Sequence, residues 1–193
     1  MQRRIFLTGA ISAAVLSTFS ACSTTTSSGE SAATDASKRQ SIDASVDGTM
    51  SRLYTSVRGS RELVSKAQGV LVFPSVLQAG FIVGGEYGEG ALRVGGTTVG
   101  YYSTASGSFG LTAGAQSKAI VFLFMTADAL QQFRSSKGWT VAGDASVALV
   151  KVGANGSIDT TTATAPVEVI VMTNTGLMAD VSLSGTKVTP LKI

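Results

Sequence analysis

The chain contains no histidine and a single cysteine among its 193 residues. Those two absences exclude a Ser-His-Asp triad, a Cys-His pair, a zinc site built on His or Cys, and any internal disulfide. Proline is scarce, at 3 residues, and charged residues make up 14% against 44% hydrophobic ones. A composition this apolar can bury a core, unlike that of a disordered chain, and the low charge argues against a long coiled coil. Phosphate-binding loops are missing as well: there is no G-x-G-x-x-G leading into a helix and no Gly-Lys-Ser/Thr, and no G-x-S-x-G elbow occurs. With no nucleophile set beside a base, the chain reads as non-catalytic, without metal or cofactor.

What is present begins with a leader. Arg3 and Arg4 precede an apolar stretch over residues 5–19 that is short for a bilayer span, so residues 1–21 read as a signal peptide. Arg3-Arg4-Ile5-Phe6-Leu7 fits either a twin-arginine signal or an ordinary positive n-region. Phe19-Ser20-Ala21-Cys22 is similar to the lipobox of bacterial lipoproteins, with Phe19 where Leu is usual; the alternative is a free cysteine beside a generic cleavage site. The resemblance implies acylation of Cys22, with palmitate among the acyl groups. Ser23 after it, rather than Asp, points to the outer membrane, with the domain facing the periplasm. Residues 22–40 then read as an acylated N-terminus and a Ser/Thr/Ala-rich flexible tether, and residues 41–193 as one domain.

The formal net charge of +3 includes Arg3 and Arg4; without them 13 basic residues face 12 acidic ones. A whole-chain electrostatic case for nucleic acid therefore fails. One local asymmetry remains. Between Gly48 and Gln68 lie Arg52, Arg58, Arg61 and Lys66 against Glu62 alone. They read either as a headgroup-binding face or as the solvated side of a helix.

Ile42, Val46, Met50, Leu53, Val57, Val64 and Ala67 recur at helical spacing, which predicts an amphipathic helix weakened or broken at Gly48 and Gly59. Asp43 and Asp47 near its start and Lys66 near its end suit the helix dipole. After Gly69 short strands are expected over residues 70–73, 80–85, 91–94, 99–103, 109–113, 145–152 and 167–173. Residues 118–125 form a central one, residues 177–184 alternate, and Val188 and Leu191 mark a last strand. Thr126 is expected to cap a short helix through Phe133 and Lys137, closed by Gly138. The result is an α+β domain: N-terminal amphipathic helices, then a mostly antiparallel, Gly-rich sheet or barrel-like body with one inserted helix.

Gly84, Gly85, Gly88 and Gly90 read as backbone devices rather than a ligand loop, and Glu86 and Glu89, three apart, should face opposite sides of a strand. Asp144, Asn155 and Asp159 match no calcium loop, Asn155-Gly156 being simple turn chemistry. Trp139 reads as a core or rim aromatic.

Several spaced motifs then resemble one family. Ala67-Gln68-Gly69-Val70-Leu71-Val72-Phe73-Pro74 and Ala79-Gly80-Phe81-Ile82-Val83-Gly84-Gly85-Glu86-Tyr87-Gly88-Glu89-Gly90 resemble the core motif of the SYLF domain. So do Gly114-Ala115-Gln116-Ser117, Phe124-Met125-Thr126, Gly138-Trp139 and Thr175-Gly176-Leu177-Met178-Ala179. Val169-Ile170-Val171-Met172-Thr173 stands where many members carry a Tyr-Ser element. The resemblance implies a lipid-binding module. Eukaryotic members bind phosphoinositides and some act on actin, whereas bacterial relatives are commonly secreted or lipoproteins, so the transferable expectation is anionic phospholipid as partner. An envelope module that binds a protein, with lipid only as anchor, is the second expectation.

Overall fold

The computed structural model describes residues 28–80, 83–109, 114–141, 143–150, 158, 165–173, 176–177, 183 and 185–193. The signal segment, Cys22, Asn155 and Asp159 lie outside them, as does most of the alternating run 177–184. The first element is helix α1 (Ser28–Ser56). It buries Ile42, Val46, Met50 and Leu53, and Val57 just past its end completes the expected apolar stripe. Each such side chain contributes about 2 kcal/mol on leaving water.

The start of α1 corrects the expected tether. Ser/Thr/Ala richness imitates a linker, but Ala32, Ala33 and Ala36 are strong helix formers, and Lys38 is fastened to Glu89 of the sheet at 2.8 Å. Because the helix begins at Ser28, Asp43 and Asp47 sit in its middle and do not serve its N-terminal dipole. Gly48 is passed without a break. Gly59, at φ 83°, ends the helical run in a left-handed turn, and α2 (Ser60–Lys66) follows, placing Leu63 in the core while Val64 and Ala67 remain half-buried.

The glycines expected to separate many short strands instead run inside three long ones: β1 (Gly69–Gly80), β2 (Val83–Val94) and β3 (Thr97–Phe109). Close approach explains two of them. β1 bulges around Phe73-Pro74, and a Cβ on Gly88 would come within 2.8 Å of the Ser75 carbonyl, while one on Gly90 would strike the Val72 carbonyl. Neither has positive φ, so strand packing sets the requirement there. At the β2–β3 turn, Gly95 and Gly96 do adopt φ of 58° and 83°.

The remaining elements are β4 (Gly114–Phe124), α3 (Ala127–Ser135), β5 (Trp139–Thr140), β6 (Val147–Leu149), β7 (Val167–Thr173), β8 (Gly176–Leu177) and β9 (Lys187–Pro190). Thr126 caps α3 as expected, its hydroxyl accepting from the Ala129 amide at 3.2 Å. The helix stops at Ser135, with extended Ser136 as its C-cap, and does not reach Gly138. Strand order is β5-β9-β3-β2-β1-β4-β7-β6, with β8 paired to β7. Only β6–β7 is parallel among the named pairs, so the α+β, mostly antiparallel architecture is as expected.

Candidate functional site

The sheet carries a separate core on each face. On one, Phe73, Phe122, Phe124, Phe133 and Trp139 pack together beneath α3. Trp139 meets Phe122 at 5.6 Å and Phe133 at 5.5 Å between ring centres, both edge to face, so it is a core residue. On the other face α1 and α2 lie over Val72, Ala91, Val121 and Leu123.

The helical face is fastened by polar contacts that the sequence pattern did not reveal. Asp43 accepts from the Thr98 hydroxyl at 2.8 Å and the Tyr101 hydroxyl at 2.7 Å. Arg93 on β2 donates through Nη1 to Asp47 and through Nη2 to the Asp43 backbone carbonyl at 3.3 Å. Asp43 and Asp47 thus fix where α1 sits along the β2–β3 hairpin. A lone cation in the glycine-rich run 84–100 was the only sequence signal for Arg93. Burial pushes the Tyr101 phenol up, and its hydrogen bond to the Asp43 carboxylate adds to that. Farther along β2, burial pushes Glu89 up, but hydrogen bonds from Lys38 and Tyr87 outweigh it and hold the carboxyl below its usual range. Glu86, on the opposite face as its spacing predicted, accepts from Lys118 at 2.8 Å and from Ser106 at 3.0 Å. The two carboxylates belong to different ion pairs and form no acid–base couple.

A cavity of about 570 Å3 lies between the helices and the sheet. Met50 and Tyr54 of α1, Val64 of α2, Ala67, and Val70 and Val72 of β1 form its apolar lining. Arg93, Asp47 and the Gly95-Gly96 turn also border it. Arg61 lies over the Tyr54 ring at 4.4 Å. Burial raises the Tyr54 phenol, while the charges of Arg61 and Arg93 pull it the other way.

The four cations singled out in the sequence are all exposed on the helical layer. They are not equivalent. Lys66 is engaged by Glu62 one turn earlier, at 2.8 Å, and Arg61 is held on Tyr54. Arg58 follows α1, its carbonyl accepting from the Ile158 amide at 3.0 Å. Arg52 and Arg58 have no acidic partner among the described residues. Of the carboxylates considered for a cation site, Asp144 accepts from the Thr140 amide at 2.6 Å, as a turn residue does. Among the described residues no group of three or more acids holds a metal-binding arrangement, and no helix is long and apolar enough to cross a membrane.

The family model described as Ysc84, Las17-binding protein actin regulator, matches residues 105–192, from within β3 through β9. The motifs from Gly114 onward fall in this stretch, whereas Ala67–Pro74, the glycine-rich run of β2, the cavity and all four helical cations precede it. No curated protein matches the chain.

Proposed function

We propose, on the match of residues 105–192 to the Ysc84 (SYLF) family model, that the chain is a non-catalytic lipoprotein, anchored through Cys22 to a bacterial outer membrane, whose domain binds anionic phospholipid. The observation that carries this reading is the exposed set Arg52, Arg58, Arg61 and Lys66 on a helical layer whose apolar stripe is buried. With Glu62 subtracted, three net charges at roughly 1 kcal/mol each give about a hundredfold preference for an anionic surface. That suffices to orient an anchored domain, while acyl chains on Cys22 supply the anchor, at roughly 0.8 kcal/mol per buried methylene. The family description favours a second reading, a protein-binding module of the envelope.

Vesicle binding tests the choice. The domain should be cut before Ser28, because a cut at residue 41 would remove Lys38 and its tie to Glu89. It should bind phosphatidylglycerol vesicles better than phosphatidylcholine ones, with a preference that shrinks as salt rises. Changing all four cations to Gln should abolish the preference with little change in melting. Salt-insensitive binding that survives the quadruple change would move the site elsewhere, and no binding to any vesicle would leave the protein-binding reading. For the anchor, Cys22→Ser should release the full chain from membranes; a variant that still sediments with them in high salt would refute acylation.

A further inference from the structure

The cavity between the helices and the sheet has a volume within the range of roughly 300–1,000 Å3 found for small-molecule sites. Its lining is apolar except for the Tyr54 hydroxyl, Asp47, Arg93 and two serines, Ser51 and Ser65. Arg93 is incompletely satisfied there. Its Nη atoms serve Asp47 and the Asp43 carbonyl, but Nε is buried without an acceptor among the described residues. A buried N–H with no acceptor is costly, and an oxygen brought in beside Arg93 would relieve it. The acids at this end, Asp43 and Asp47, are already bonded by Arg93, Thr98 and Tyr101, while Arg61 over Tyr54 has no acidic partner among the described residues. Arg61 and Arg93 thus balance Asp43 and Asp47 in charge, and the unmet need is local: a guanidinium N–H without an acceptor, for which a charged oxygen is the strongest partner.

We infer that this cavity binds one single-chain anionic amphiphile, its hydrocarbon tail against Met50, Val64, Val70 and Val72 and its acidic head at the unmet Arg93 N–H, with Arg61 outside the lining on the Tyr54 ring. The head is a carboxylate or a phosphate, as in a fatty acid or a lysophospholipid; both offer acceptor oxygens on a compact anion. This differs from adsorption to a bilayer, because the occupant is a single molecule inside the fold and the vesicle result does not bear on it.

The test is photo-crosslinking of full-length chain made by cell-free synthesis, so that no acyl group is attached. Three probes carry the same diazirine in a sixteen-carbon tail: a fatty acid, a lysophosphatidylglycerol and a fatty alcohol. Mass spectrometry should place adducts on peptides bearing Met50 and Tyr54 and on those bearing Val64 and Val70. Ala67→Phe, which sets a ring in the cavity, should reduce those adducts by about tenfold or more, a change well inside what loss of a buried tail supplies. Val64→Phe is the second filling variant, and far-UV circular dichroism with melting controls the fold of both. The acid or the lysolipid should label more than the alcohol, and Arg61→Gln should narrow that gap by roughly threefold, as expected for an exposed cation. Preference between the two acidic probes identifies the head. Adducts with no enrichment at the cavity peptides, or undiminished in both filling variants, would overturn the site. Equal labelling by the alcohol would overturn the anionic head.

Discussion

On one face of the sheet five aromatic rings close on one another beneath α3, while on the other α1 and α2 lay aliphatic side chains over Val72, Val121 and Leu123 and leave a cavity. The aromatic face holds itself by contact: Phe73 meets Phe122 at 6.2 Å and Phe124 meets Phe133 at 4.8 Å. The helical face adds to its buried aliphatic stripe a few polar ties, Asp43 to Thr98 and Tyr101, Arg93 to Asp47, and Lys38 to Glu89. The four exposed cations of the segment between Gly48 and Gln68 all lie on that helical layer. The contrast assigns stability chiefly to the aromatic face and ligand chemistry to the helical one, where a less completely filled interface leaves room for an occupant.

The largest effect that would sharpen this contrast is Phe122→Ala. It empties the centre of the aromatic cluster and should cost about 3–5 kcal/mol in chemical denaturation. A loss under about 1 kcal/mol would mean that the two faces are not mechanically different. Next is Asp43→Ala, which deprives Thr98 and Tyr101 of their acceptor. About 2 kcal/mol should be lost, and hydrogen exchange should rise along α1 before the sheet opens. Uniform loosening of both faces would contradict the assignment of separate ties.

Smallest is Glu168→Gln on β7. Glu168 is buried, with one hydrogen bond from the Ala165 amide at 3.1 Å, and burial pushes its carboxyl above the usual value. Between the unfolded and the raised folded value the native state holds the extra proton. Stability from this group is thus full at acid pH and falls as pH rises through that window. The neutral amide carries no such proton, so the substitution should remove that decline and make the protein modestly more stable at neutral pH, as read from melting against pH. A decline that persists unchanged would assign it to another group.

Particular residues show how far the pattern along the chain could be followed. The stripe Ile42, Val46, Met50, Leu53 and Val57 was legible because burial against a sheet repeats every three or four residues. Thr126 at the head of α3 and the apolar runs of β4 and β7 were legible for similar local reasons. Strand lengths were not, because Gly84 to Gly90 look like punctuation in one dimension. In three dimensions Gly88 and Gly90 stay in the ladder to let the β1 bulge pass. The start of α1 was missed because composition cannot see that Lys38 meets Glu89, 51 residues away.

The sequence by itself determined which sets are out of reach: without histidine or a second cysteine, no Ser-His-Asp triad, Cys-His pair or internal disulfide can be assembled whatever the fold. It also determined the class of architecture and the cationic segment, since hydrophobic period and charge are local properties of the chain. Only the tertiary structure decided that Arg61 rests on Tyr54, that Lys66 is engaged by Glu62, and that Arg93 meets α1 beside a cavity. Arg93 and α1 come together only when β2 and β3 pair behind the helix. A cavity is the volume that elements distant in sequence fail to fill, so no stretch of the chain encodes it alone.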